Sequence, residues 1–379
     1  MAKKLRVGVI FGGRSGEHEV SVRSAGSLIE AIDRKKYDVI PIAISQEGKW
    51  LSPPDAARLL PDAAQRLFPS STFSEQSTQV AILGDPSHTG LLSLRSDEGS
   101  PASRPLDVVF PVLHGPFGED GTLQGLLEMA GIPYVGCGVL ASSCGMDKVA
   151  MKHLFQVAEL PMCRYVWFLR SQWQRDASRV TRTVKRDIGF PCFVKPANLG
   201  SSVGVSRADD KASFEQAVNL AAQYDRKIIV EESVDAREIE CAVLGNDEPE
   251  ASLPGEYVIH DNSAGFLDYT EKYTTTGHVE FVVPAPLSKR MTTTIQRMAI
   301  KAFQSVDGAG LARVDFFLRR DSGELIVNEL NTMPGLTEVS GYPKMWTASG
   351  LSYTKMLDRL IELALERHRE KAINKTTRY

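Results

Sequence analysis

The chain has 379 residues, too many for one ordinary core, and this length predicts two or three domains. Hydrophobic residues make up 42% and charged residues 24%, with a net charge of −3. Such a balance lacks the Lys and Arg excess that nucleic-acid or membrane-surface binding needs, so small molecules are the expected partners and neither nucleic acid nor membrane is. No apolar stretch approaches the ~20 residues that span a bilayer. The basic start MAKKLRVGVIFGG runs into glycines too early for a signal segment, so a cytoplasmic location is expected.

Residues 5 to 44 predict a parallel βαβ opening: strand LRVGVIF, turn GGRSG, a helix with Val20, Leu28 and Ile32 on one face, then strand YDVIPIAI. From 51 to 104 Pro, Ser and Ala dissolve the pattern, which predicts a surface insertion with two short strands, QVAIL and GLLSL. VVFPVLHG at 108 to 115 resumes the sheet, and a first domain is expected over 1–137. A second, 138–231, carries MDKVAMKHLF on a helix and GFPCFVKPANLGSSVGVSR as strand, loop, strand. IIVEESV begins the third, 232–379, with IECAVL, VEFVVPAPL, a helix from about 288 to 305, and the strand pair ARVDFFLRR and ELIVNELN. A last amphipathic helix places Leu357, Leu360, Ile361 and Ala364 on one face. The five cysteines contain no Cys-x-x-Cys pair and are expected as free, buried thiols, Cys144 lying nearest a candidate nucleotide lysine.

Two common nucleotide motifs are excluded. There is no G-x-x-x-x-G-K-[ST]. The first turn has Phe11 where a dinucleotide fingerprint needs glycine, and strand two ends in Ser45 and Gln46, without an acidic ribose ligand. The strongest element is Arg313-Val-Asp315 followed by Glu329-Leu-Asn331. On adjacent strands, alternation brings Asp315, Glu329 and Asn331 together as hard oxygen ligands, a set that suits magnesium bridging phosphates. The turn Asn331-Thr-Met-Pro-Gly335 offers backbone N–H groups beside them. Lys195 ends the strand FPCFVK before the loop NLGSSVG, an arrangement that fits a polyphosphate. Lys148 is a second candidate cation, although alone it reads as a surface lysine. Glu231, Glu232 and Val234 end a strand in the manner of an adenine and ribose edge, and Glu238 adds a carboxylate for ribose hydroxyls.

These residues carry a wider likeness. LHGPFGEDGTLQGLLE (113–128), LARVDFFLRRDSGELIVNELNTMPGLTEVSGYP (311–343), GGRSGEHEVSV near the start, MDK (146–148), KPANLGSSVG (195–204) and DYTEKY (268–273) follow one another over nearly the whole chain. In this the sequence resembles the D-alanine:D-alanine ligases of the ATP-grasp superfamily. The resemblance implies an α/β (α+β) fold: an N-terminal Rossmann-like parallel-sheet domain, a small central α/β domain and a C-terminal α+β domain. It implies that ATP phosphorylates one D-alanine, that the amine of a second D-alanine attacks the acylphosphate, and that ADP and phosphate leave. By the same resemblance Asp315, Glu329 and Asn331 hold two Mg2+ (or Mn2+), Lys148, Lys195 and Lys272 contact phosphates, and Arg313 with the Gly335 N–H stabilises the oxyanion. Glu17 matches the partner of the first substrate's ammonium, with His114 and the Val20 backbone nearby; Ser201 and Tyr273 link Glu17 to a lid over 261–278. Ser340 and Lys272 match groups that receive the second substrate's carboxylate, and Tyr273 points to D-alanine rather than D-lactate as nucleophile. A homodimer is implied as well. Gly341-Tyr342 stands where some members carry an aliphatic residue, which leaves D-serine open at the second subsite. The competing readings are another ATP-grasp carboxylate–amine ligase and a regulatory nucleotide binder without catalysis.

Overall fold

The computed structural model describes residues 3–69, 79–94, 105–200, 202–259 and 279–375. The first unit runs β1 (Leu5–Gly12), α1 (His18–Ala31), β2 (Tyr37–Ile44), β3 (Trp50–Leu51), α2 (Pro53–Leu59), α3 (Asp62–Gln65), β4 (Val80–Ala81), β5 (Leu92–Ser93), β6 (Val108–Val112) and α4 (Thr122–Met129). β1 lies between β2 and β6 and is parallel to both, as the βαβ pattern predicts. The apolar run of β1 is buried on both faces because its alternate residues feed different cores. Val7, Val9 and Phe11 pack with α1, while Ile10 packs with Leu123 and Leu127 of α4.

The stretch after β2 is more than a surface insertion. QVAIL and GLLSL do supply β4 and β5, a short antiparallel pair. Ahead of them, α2 and α3 bury Ala56, Leu60 and Ala64 in the main core, and Ala57 is buried as well. Small side chains let these helices approach closely; Pro61 packs against the Cα of Gly26, where an added Cβ would meet it at 2.8 Å.

The middle of the chain gives α5 (Val139–Met146), α6 (Lys148–Val157), β7 (Tyr165–Leu169), α7 (Arg170–Arg175), α8 (Ala177–Asp187), β8 (Cys192–Pro196), β9 (Ser206–Ala208), α9 (Lys211–Tyr224) and β10 (Lys227–Glu232). Its sheet order is β7-β10-β8-β9. β10 is thus interior to the second sheet, so IIVEE closes this unit instead of opening the next. MDKVAMKHLF is not one helix either: the backbone turns extended at Asp147, whose carboxylate caps α6 by accepting from the N–H groups of Val149 and Ala150. Helices α5 and α6 bury Ala141, Met151 and Phe155 in the core of the third sheet, not of the second.

The third sheet contains β11 (Ala236–Gly245), β12 (Glu250–Ala251), β13 (Gly255–Ile259), β14 (Val279–Val282), β15 (Gly310–Arg319) and β16 (Leu325–Asn331), and is joined by α10 (Lys289–Ser305), α11 (Gly341–Ala348) and α12 (Tyr353–Lys371). Ser288 caps α10 by accepting from the Met291 N–H, close to the expected start. The predicted stripe of α12 is buried, and Leu357, Leu360 and Ile361 join Val7, Val9 and Phe110 of the first sheet with Leu311 and Leu336 in one core. The C-terminal helix therefore ties the first and third sheets together.

Candidate active site

The hairpin of β15 and β16 pairs Arg313 with Asn331 and Asp315 with Glu329 across the strands, and a register shift follows Asp315. Alternation thus puts all four on one face. Arg313 donates from Nε and Nη2 to both oxygens of Asp315, each at 2.7 Å, and its Nε lies 3.1 Å from Glu240 Oε1 on β11. Burial works against the Arg313 charge, but the two carboxylates overcome it and hold the guanidinium well above its ordinary pKa. Asn331 Nδ2 donates to Asp315 Oδ2 at 3.1 Å.

Two cations face this hairpin. Lys148, the first residue of α6, donates to the Leu199 carbonyl at 2.7 Å and sits 3.8 Å from Glu329 Oε2. Lys195 on β8 donates to Glu231 Oε2 at 2.6 Å. One cavity is lined by Lys148, Lys195, Glu238, Glu329, Asn331 and Glu119.

A second cluster forms where the turn after β1 meets the loop after β6. Ser15 Oγ donates to the His114 carbonyl at 2.6 Å, tying the two segments. Glu17 occupies the N-cap position of α1, and its Oε2 lies against the backbones of Gly115 and Gly200; a Cβ on either would sit 3.0 or 3.5 Å from it. His114 is buried, with Nδ1 3.1 Å from the Met333 carbonyl. A carbonyl only accepts, so Nδ1 carries the proton and Nε2 keeps its lone pair, buried and without a hydrogen-bond partner among the described residues. Burial lowers the His114 pKa, outweighing the nearby Glu17, and keeps the ring neutral. Glu119 accepts from the Gly115 N–H at 2.7 Å, and its carboxyl is pushed up to about 8 by burial and then by the charge of Glu17. Beyond β16, Ser340 Oγ is 2.6 Å from Thr337 Oγ1 at the start of α11, and a Cβ on Gly335 would approach that Oγ to 3.1 Å.

Comparison with known proteins agrees with this architecture. The family model described as D-ala D-ala ligase N-terminus matches residues 6–137, and the one described as D-ala D-ala ligase C-terminus matches residues 154–362. The chain belongs to the D-alanine–D-alanine ligase family. A member named D-alanine–D-alanine ligase from Heliobacterium modesticaldum is 47% identical over 99% of this chain and 98% of its own. Another of that name from Natranaerobius thermophilus is 46% identical over 99% and 98%. Among solved ligase structures, the D-alanine–D-alanine ligase from Coxiella burnetii is 36% identical with a TM-score of 0.81, covering 98% of this chain and 97% of that one. The VanG D-Ala:D-Ser ligase from Enterococcus faecalis is also 36% identical, with a TM-score of 0.82 over 96% and 100%. The fold is the ATP-grasp fold of these ligases.

For a ligase of this family, the candidate residues divide into those the fold gathers and those it places elsewhere. Lys148, Lys195, Glu238, Glu329 and Asn331 share the cavity, with Asp315 and Arg313 beside Asn331. Glu17, His114 and Glu119 form the adjoining cluster, and Val20 is buried one turn along α1. Glu232 is held instead by Arg164 at 2.9 Å and Arg319 at 2.7 Å, outside the cavity wall, and Val234 does not line it. Glu231 lies behind Lys195, away from the wall. Tyr342 points into the core and donates to the Val243 carbonyl at 2.8 Å, so its size does not reshape a substrate pocket. Ser201, Lys272, Tyr273 and the expected lid 261–278 lie outside the described residues.

Sequence reasoning passed over Glu119 and Lys152. Glu119 sits inside the HGPFGEDG motif and was legible there as an acid in a glycine loop. Lys152 interrupts the apolar stripe Val149, Met151, Phe155 of α6, a periodicity signal for a buried charge. As for metal, the described residues hold no group of three His, Cys, Asp or Glu side chains placed to bind one ion by themselves. The Asp315–Glu329–Asn331 set has two carboxylates and an amide oxygen, which fits a divalent ion whose remaining ligands are phosphates and water.

Proposed function

We propose that this ligase uses ATP to join two D-alanine molecules into D-alanyl-D-alanine, through a D-alanyl phosphate, with release of ADP and phosphate for peptidoglycan precursor synthesis. The observation that carries the site reading is the convergence of Lys148, Lys195, Glu329 and Asn331 on one cavity, with Arg313 and Asp315 paired beside it. A carboxylate is a poor electrophile, and its phosphorylation demands that the charge of the transferring phosphoryl be neutralised. Lys148 and Lys195 supply positive charge from one wall. Glu329 and Asn331 on the other, with Asp315 beside them, would hold two Mg2+ or Mn2+ ions, which when bound screen the phosphate charge. Glu238 reaches the nucleotide's ribose side. Glu17, wedged between two glycine backbones, receives the first substrate's ammonium, and Arg313 with the Gly335 N–H stabilises the developing oxyanion. Ser340 receives the second substrate's carboxylate. The assembly is a homodimer in this reading, and no helix among the described residues is long and apolar enough to cross a membrane.

The second substrate is the point on which relatives divide. The two solved ligases, one named for D-alanine and one for D-serine, match this chain equally in identity. The curated relatives at 44–47% identity bear the D-alanine–D-alanine name, and that favours D-alanine. A phosphate-release assay tests the reading. D-alanine alone should drive turnover and L-alanine should not, because the ammonium, carboxylate and methyl are fixed in one hand. Equal response to both enantiomers, or faster product formation from a D-alanine and D-serine mixture than from D-alanine alone, overturns it.

A further inference from the structure

Behind the cavity wall lies a charged group with no assigned part in the reaction. The Lys152 side chain is 1% exposed; its Nζ lies 2.9 Å from Glu231 Oε1 and 3.6 Å from Cys163 Sγ, and stands 5.5 Å from the centre of the Tyr165 ring. The other oxygen of Glu231, Oε2, accepts from Lys195. Glu231 is 4% exposed in its side chain and Lys195 15%, and of the three only Lys195 lines the cavity. The arrangement is a row: a sealed lysine, a sealed carboxylate shared between two ammonium groups, and a lysine at the cavity surface.

The row sums to one positive charge. Were Glu231 and Lys195 alone, they would make a neutral buried pair, and an arriving phosphate would have to draw Lys195 away from a carboxylate with no other partner. Leaving such a carboxylate buried and unpaired is the costly state. Lys152 removes that conflict, since Glu231 keeps a counter-ion whichever way Lys195 turns.

We propose that Lys152 is a positioning residue that neutralises Glu231 and so leaves the charge of Lys195 available to a phosphate oxygen of the bound nucleotide. The inference rests on the reading that this cavity takes the phosphates of ATP. Glu231 on this view aims Lys195 from behind.

Magnesium–ADP binding, titrated by calorimetry, tests it in the full chain. Lys152→Met should weaken binding by about tenfold or more, since Lys195 becomes locked to Glu231, while KM for D-alanine moves less than about twofold. Lys152→Arg keeps the charge and should recover most of the affinity. The double variant Glu231→Gln with Lys152→Met should bind within about threefold of Glu231→Gln alone, because no buried carboxylate remains to hold Lys195. Wild-type affinity in Lys152→Met, or a double variant about tenfold weaker than Glu231→Gln alone, overturns the proposal. If Lys152→Met does not fold, the double variant, which buries no unpaired charge, still decides: binding about tenfold weaker than Glu231→Gln overturns it and equality supports it. Lys195→Met separates the two readings, since undiminished binding there refutes the phosphate site itself.

Discussion

Asp315 and Glu329 face each other across one hairpin, yet their surroundings differ enough to separate catalysis from stability. Glu329 is 30% exposed in its side chain, whereas Asp315 is 12% exposed and holds the half-buried Arg313 with two hydrogen bonds. Glu329→Gln should lower kcat by about 100-fold or more, through loss of a ligand at the phosphates, with the melting temperature nearly unchanged. Asp315→Ala should be as inactive and also less stable by about 2 kcal/mol or more, because Arg313 is left with Glu240 as its carboxylate partner. Normal turnover in either variant rejects the metal assignment; an unchanged melting temperature in Asp315→Ala rejects the structural half. Glu119 gives a pH test. Its folded pKa, about 8, lies above the ordinary 4.5, so the folded chain holds a proton that the unfolded chain has released. The resulting stability is complete below about pH 4.5 and is lost as pH rises to about 8. Glu119→Gln escapes that loss. Its melting temperature should gain on wild type between pH 5 and about pH 8 and then run parallel, and a gap independent of pH refutes the assignment.

At the scale of elements, the break at Asp147 explains why Met146-Asp147-Lys148 works as a unit. Asp147 caps α6, and it also pairs with Lys227 at the start of β10, so the first turn of the helix, with Lys148 in it, is fixed to the second sheet. Asp147→Ala should cost about 1 kcal/mol or more in stability. It should also raise KM for ATP more than KM for D-alanine, since what is loosened is the placement of Lys148, the proposed phosphate cation; an equal rise in both rejects this link. The sequence shows Asp147 within a motif but conceals the cap, because MDKVAMKHLF keeps helical apolar spacing straight through the break. Helices α2 and α3 escaped notice for the opposite reason: Ala and Pro give no strong period, and only packing against β2 and α1 reveals that Ala56 and Ala64 are core. The hairpin was legible since acids and an arginine alternate with apolar residues in β15 and β16. The Lys152–Glu231–Lys195 row was not, since periodicity can mark a buried lysine but cannot name a counter-ion from a strand far along the chain.

Over the whole molecule, the cores divide the chain differently from its order. Residues of the second sheet and of α7, α8 and α9 pack among themselves, with Phe214 against Trp173 at 5.8 Å near its middle. The first and third sheets share a core through α12, in which Leu360 is fully buried. Two cooperative units follow, one local to the central sheet and one joining both ends of the chain. Calorimetry of the free ligase should therefore show two transitions. Phe214→Ala, costing about 3–5 kcal/mol, should lower one of them, and Leu360→Ala, costing about 2–5 kcal/mol, should lower the other. On the proposed site reading, a nucleotide gripped by Lys195 on β8 and by the residues of β16 bridges the units, so magnesium and ADP should draw the transitions together and raise the one assigned to the central sheet. A single transition in the free chain, lowered alike by both substitutions, means that the central sheet is not a separate unit; transitions that stay apart with nucleotide bound mean that the bridge across the cavity is not made.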